Sequence, residues 1–300
     1  YGKFTVVSDF IANLSLFSGV PVDLEKAVSD YRRRLDLPES PAEIEEKVYI
    51  CYDIVESGDS PAYIQDRQLQ EWGYEQRGQI PINWSQGPAI LDLAPPVAEY
   101  FFETATPNDY LYTAISGAGY NHPYRYLNVK TPDPKAAWEG YIALTREAMQ
   151  RMGCAELGLY TDSWRRFDRE KNDPVTLRFI RGIPELELLV LGMGRDEGMD
   201  ATIGNYLLGP GDTVVSHILT RWPADYAGKS REEMIQWLVE EIQSQTPQTR
   251  PAFMNVMALS WACSPAEILE VHRRLGEDYR ALRLPEFTQM YRKHAEGCAE

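Results

Sequence analysis

Tyr110-Leu111-Tyr112-Thr113-Ala114-Ile115-Ser116-Gly117-Ala118-Gly119-Tyr120-Asn121-His122-Pro123 is an apolar, β-branched and aromatic run that empties into a short polar loop. The run has the composition of a strand. Gly117 and Gly119 carry no Cβ, so the backbone there can turn tightly or lie close to a ligand. Tyr120, His122 and Pro123 then fix what the turn presents. The third glycine of a dinucleotide fingerprint is missing, and Pro123 and Pro132 keep a helix from following directly.

Working outward, the same order of apolar run, polar strand end and amphipathic stretch recurs along the chain. Strand-like runs occupy 3–7, 48–52, 80–84, 157–160, 186–191, 212–219 and 253–259. Helical stretches between them open on recognisable caps: Asp133 before Pro134, Ser230 with Glu233, and Ser264 before Pro265 with Glu267. About eight strand–helix units are the number a parallel barrel requires. The pattern predicts an α/β chain folded as a (β/α)8 TIM-like barrel that tolerates irregularity, with residues 1–300 as a single domain. An open doubly wound sheet is the second choice, but no phosphate-type glycine loop follows the first strand.

Composition bounds the function. The 45 acidic and 30 basic residues give a net charge of −15, which argues against nucleic acid and anionic membrane surfaces as partners. No apolar run is long enough to span a bilayer. The chain opens on Tyr1 without a signal-peptide pattern and reads as a processed or trimmed piece of a longer protein. Cys51, Cys154, Cys263 and Cys298 lack metal-type spacing, and no disulfide framework is expected. No cofactor is expected either.

In a parallel barrel every strand C-terminus opens on one face. That gathers Asp9, Asn13, Asp53, Glu56, Asp59, Trp84, Gly119, Tyr120, His122, Asp162, Trp164, Arg195, Glu197, His217, Trp222 and Trp261. Carboxylates with flat rings are what glycoside hydrolysis asks for: one protonated carboxyl, one ionised partner and surfaces to pack on a sugar. Glu56 and Asp59 are the candidate proton donors, Asp162 the candidate partner, with Asp53, Asp9 and Glu197 behind it. Asp59, just ahead of Ser60-Pro61, serves equally well as a cap or turn residue, and Asp53 as a loop anchor. Trp72, Trp138 and Trp237 fall on helix faces and read as core, and His272 and His294 as structural. A metal site would need a His pair at short spacing beside an Asp. The four His provide none, so no metal ligand is assigned.

The stretch 116–123, with Pro81-Ile82-Asn83-Trp84-Ser85, Asp92-Leu93-Ala94-Pro95 and Thr104-Ala105-Thr106-Pro107-Asn108-Asp109 before it, resembles the C-terminal domain of the GxGYxYP putative glycoside hydrolase family. Gly117, Gly119, Tyr120 and Pro123 match the motif Gly-x-Gly-Tyr-x-Tyr-Pro, and His122 stands where the second Tyr belongs. Glu56-Ser57-Gly58-Asp59-Ser60 is similar to the family's Ser-Asp-Gly-Asp-Asn. Gly58 and Asp59 are kept, and Ser57 replaces an acid. Asn13-Leu14-Ser15, Trp261 and Ser264-Pro265 also look familial. The resemblance implies a bacterial, extracellular or periplasmic glycosidase with a carbohydrate ligand and an N-terminal companion domain not in this chain. The alternatives are a non-catalytic carbohydrate-binding barrel and a metal-dependent carbohydrate esterase or deacetylase.

Overall fold

The structure is a computed structural model that describes residues 12–55, 60–126, 132–161, 167–192, 204–218, 230–260 and 263–298. Its strands are β1 Val48–Val55, β2 Ile82–Gln86, β3 Asp109–Thr113, β4 Glu156–Leu159, β5 Leu188–Leu191, β6 Asn205–Leu208, β7 Thr213–His217, β8 Ala252–Leu259 and β9 Tyr279–Ala281. The helices of ten or more residues are α1 Leu24–Leu35, α2 Pro95–Thr104, α3 Pro134–Met152, α4 Arg169–Gly182, α5 Arg231–Gln245, α6 Pro265–Leu275 and α7 Leu284–Gly297.

The nine strands form one sheet in the order β6-β7-β5-β4-β3-β2-β1-β8, with β9 on β1. All pairings are parallel except the β6–β7 hairpin. The fold is therefore mixed α/β with a central, mostly parallel sheet covered by helices. The regular alternation expected from the sequence gives way at β6, an antiparallel strand folded back on β7 through the Gly209–Asp212 turn. The expected first strand at 3–7 lies outside the described residues.

β1 and β8 are apolar runs broken only by Asp53 and Asn255, as strands covered on both faces should be nearly continuous in apolar residues. β9 shares one edge of β1 with β2: it pairs with Val48–Ile50, and β2 with Asp53 and Ile54. Asn83 secures that junction. Its amide donates to the carbonyls of Tyr52 (3.3 Å) and Leu282 (3.4 Å), and its Oδ1 accepts from the Leu284 N–H at 2.9 Å.

The outer face of β4, β5 and β7 packs Leu157, Leu159, Leu189, Leu191 and Val215 against Trp138, Ile142 and Phe179 of α3 and α4. α7 lies across the amino ends of the strands. Its Phe287 and Tyr291 meet Phe253 edge-on, and Arg292 reaches Glu187 just ahead of β5. Asp133, Ser230 and Ser264 cap their helices as predicted: Asp133 accepts from the Ala136 N–H, and Glu233 and Glu267 reach back to the N–H groups of Ser230 and Ser264. With the amino ends plugged, the carboxyl ends are left to build a site.

Candidate active site

Residues registered across parallel strands share a face of the sheet. The registers Asp53↔Asn83, Ser85↔Tyr112, Val190↔Ser216 and Cys51↔Asn255 place Asp53, Tyr112, Ser216 and Asn255 on one face. All four are fully buried. Neither carboxylate oxygen of Asp53 has a hydrogen bond of regular geometry, nor do the Tyr112 hydroxyl and Asn255 Oδ1. The amide of Asn255 is 3.4 Å from the Ser216 hydroxyl, spanning β8 and β7. Buried polar groups with unmet hydrogen-bonding capacity on facing strands mark a place built to hold something polar.

Burial pushes the Asp53 carboxyl well above the usual carboxylate range, and only the Tyr112 phenol beside it opposes the rise. Burial therefore favours the protonated form of Asp53. Burial, reinforced by Asp53, raises the Tyr112 phenol in turn.

The loop after β3 supplies the rings. Ser116 sits at φ 64°, a conformation an L-residue holds only when its neighbours fix it. Three contacts do so: its N–H donates to the Gly158 carbonyl at 2.7 Å, its hydroxyl accepts from the Tyr160 N–H at 2.9 Å, and its carbonyl accepts from the Tyr141 hydroxyl. Gly117 follows at φ 74°, where a Cβ would come within 2.4 Å of Thr145 Oγ1 on α3. Thr145 in turn accepts from the Ala118 N–H at 3.1 Å. Gly119 differs, because no atom lies within 4 Å of where its Cβ would be. Only the first glycine is demanded by the fold.

Pinned this way, the loop brings three rings together beyond β3 and β4. His122 stacks on Tyr160 at 5.0 Å and 22°, and Tyr120 stands edge-on to Tyr160 at 5.2 Å and to His122 at 6.1 Å. Tyr120 and His122 remain half-buried. Such a corner can pack against the apolar face of a sugar while its polar rim meets hydroxyls.

Two expected site residues stand elsewhere. Trp84 shares the outer face with Leu111, where its ring meets Trp72 at 5.0 Å. Its Nε1 donates at 3.0 Å to Asp109, the first residue of β3, so the indole points towards the amino end of the strands. His217 registers with Leu191 on the same outer face. Phe167 (4.5 Å, edge-on) and Tyr206 (5.9 Å, stacked) enclose its ring. Burial, and then Arg169, bring His217 down to about 3, so it is neutral. Asn13 is exposed on the segment whose Ala12 hydrogen-bonds Gln65. Asp9, Glu56, Asp59, Asp162, Trp164, Arg195, Glu197, Trp222 and Trp261 lie outside the described residues. Among the described residues, no three His, Cys, Asp or Glu side chains converge as metal ligands would.

Sequence reading passed over Tyr112, Tyr160, Ser216 and Asn255. A period-two reading of the strands, in which Ser216 and Asn255 are polar interruptions of apolar runs, carries that signal.

The GxGYxYP putative glycoside hydrolase C-terminal domain model matches residues 46–292. A solved structure of a putative hydrolase from Bacteroides thetaiotaomicron is 20% identical, with a TM-score of 0.66 over 91% of this chain. The chain spans about half, 51%, of that neighbour's length. A putative polysaccharide deacetylase from Mycobacterium smegmatis is 10% identical, with a TM-score of 0.51 over 86% of this chain and 96% of its own. At these identities the likenesses concern the fold alone. No curated protein matches.

Proposed function

The chain belongs to the GxGYxYP putative glycoside hydrolase family through its C-terminal domain, and on that premise we propose that it hydrolyses a glycosidic bond at the carboxyl ends of its parallel strands. One observation carries the reading. β1 and β4 are parallel members of one sheet, so the segments holding Glu56 and Asp59 after β1, and Asp162 after β4, leave it at the edge where Tyr120, His122 and Tyr160 meet.

Three strand spacings separate β1 from β4, about 14 Å of backbone. Paired glycosidase carboxyls span roughly 5–9.5 Å, so the proposal requires the two side chains to close that gap towards each other. Glu56 or Asp59 gives the proton and Asp162 is the ionised partner. Asp53, fully buried near the end of β1, is assigned a positioning role, with burial favouring its protonated form. Asp9, Asn13, Trp164, Arg195, Glu197, Trp222 and Trp261 complete the proposed binding surface.

The finer architecture belongs to the same proposal: a single TIM-like barrel closed between β7 and β8. The strand order, which runs from β7 through β1 and leaves β8 beside β1, is compatible with it. Support comes from the Ile218–Asn255 bridge and the 2.8 Å hydrogen bond from Asn205 to the Phe253 carbonyl. An N-terminal companion domain and an extracellular or periplasmic location, both implied by the family resemblance, belong to the proposal too.

The test is release of reducing ends from a glycan panel by wild type, Glu56→Gln, Asp59→Asn and Asp162→Asn. A fall of about 10²–10⁴-fold is expected at the donor and at Asp162, with thermal unfolding unchanged. Full activity in all three variants rejects the assignment. The fold of the Mycobacterium smegmatis neighbour favours a second reading, removal of an acetyl group from a polysaccharide. Acetate release without new reducing ends is its distinguishing product, and binding without either product marks a carbohydrate-binding barrel.

A further inference from the structure

Residues 10–22 carry no charge, in a chain with 25% charged residues, and most of them are apolar. A stretch of that composition ordinarily belongs to a core. From Ala12 to Val22, however, no side chain is buried: Leu14, Phe17 and Val22 are half-buried and the others are exposed. The segment is apolar without an interior to enter.

Its contacts hold it beside two further exposed apolar side chains. Ala12 and the Gln65 side chain exchange two hydrogen bonds, from the Ala12 N–H to Oε1 at 2.9 Å and from Nε2 to the Ala12 carbonyl at 3.2 Å. Leu69 stands exposed one turn past Gln65. The Asp23 N–H, just after the segment, donates to Glu99 Oε1 at 3.2 Å, and the neighbouring Tyr100 is exposed. The short helical turn Leu14–Phe17 lies against the same helix, α2, and α2 meets the helical segment 60–72 where Phe101 packs edge-on to Trp72 at 4.9 Å. Leu16, Val20, Leu69 and Tyr100 are four of the six large apolar side chains left exposed among the described residues. Such residues are ordinary when scattered singly, but gathered on three touching elements they mark a contact surface.

Composition and comparison select the occupant. Asn13, Ser15 and Ser18 interleave with the apolar side chains, and contacts between domains of one chain are more polar than the cores of obligate dimers. No charge in 12–22 selects a nucleic acid, an acidic polymer or a charged membrane surface. The family model that matches is that of a C-terminal domain, and this chain covers 51% of the Bacteroides thetaiotaomicron neighbour, which leaves about half of that protein unmatched. A domain ahead of residue 1 would be tethered about a dozen residues from this surface, at an effective concentration of ~mM.

We propose that the surface formed by residues 12–22 with Leu69 and Tyr100 docks a companion domain of the same polypeptide through a neutral, largely apolar face. The inference rests on the companion domain of the proposed reading and is independent of the chemistry proposed at the strand ends.

Hydrogen–deuterium exchange of the full-length gene product and of this 300-residue chain, measured side by side, tests it. Amides of 12–22 and 65–69 are expected to exchange about tenfold more slowly in the full-length product than in the chain alone. Leu16→Glu with Tyr100→Glu restores fast exchange in the full-length product, and Leu69→Glu, made separately, has the same effect. All three side chains are exposed in the 300-residue chain, so its unfolding temperature stays nearly unchanged. The readout does not involve activity, so loss of the hydrolase reading leaves the result standing. Equal exchange in the two proteins, protection that survives both sets of substitutions, or a gene product with no further domain each overturn the proposal. Self-association of the 300-residue chain that protects the same amides also overturns it, by assigning the surface to a second copy.

Discussion

At Gly117 the missing Cβ is worth more than at Gly119, although the two stand in one motif. Gly117 combines a left-handed backbone with contact to Thr145, whereas Gly119 faces open space. Gly117→Ala is expected to cost about 1–3 kcal/mol in chemical denaturation, and Gly119→Ala to stay within about 0.5 kcal/mol. Equal losses would contradict the reading of the loop. Buried acids set a second residue-scale expectation. Glu156, which accepts from Tyr110 and from the Ala155 N–H at 3.0 Å, is pushed by burial to about 7. Burial likewise takes Glu71, beside Tyr63, to about 8. Both bind a proton more tightly in the folded chain. Their stabilisation is complete below pH 4.5 and is lost as pH rises through 7 and 8, by about 3 kcal/mol for Glu156. His217 works in the opposite sense, with stability present above 6.5 and lost as pH falls towards 3. Denaturation across pH 4.5–8 should show declining stability with rising pH, less steep in Glu156→Gln. An unchanged slope in that variant would count against it.

Elements were legible where local chemistry decides them. Asp133 ahead of Pro134, and Glu233 and Glu267 three residues into their helices, marked helix starts that the structure keeps. β6 was missed because Asn205–Leu208 is too short to show a period, although Gly209-Pro210-Gly211-Asp212 is a turn signal. Trp84 and His217 were misplaced for a different reason. Being near the end of a strand says nothing about which face a side chain takes, and a one-residue step reverses it. Register had to come from the structure, and Tyr112, Ser216 and Asn255 were placed on the face of Asp53 only through it. Asn83 holds β1, β9 and the start of α7 together through three hydrogen bonds. Asn83→Ala should cost about 2–4 kcal/mol, because buried backbone groups lose their partner. A variant as stable as wild type would remove Asn83 from that role.

Across the whole molecule, a plugged amino end and a carboxyl end lined by buried polar groups give the sheet a direction. Trp84, through Asp109, consolidates the closed end, while Asp53 and the ring trio occupy the other. Acidic charge dominates the chain, 45 acidic against 30 basic residues, and the two ends of the sheet present different chemistry. No described helix is long and apolar enough to cross a membrane. The central claim is that carboxyls delivered by β1 and β4 face one sugar-sized hollow beside Tyr120, His122 and Tyr160. A crystal structure of the chain with a bound oligosaccharide measures this directly. The account predicts that Asp162 and either Glu56 or Asp59 lie about 5–9.5 Å apart with the sugar between them and a ring of the trio against it. Carboxyls on opposite sides of the sheet, or a sugar seated away from Tyr120 and Tyr160, would contradict it.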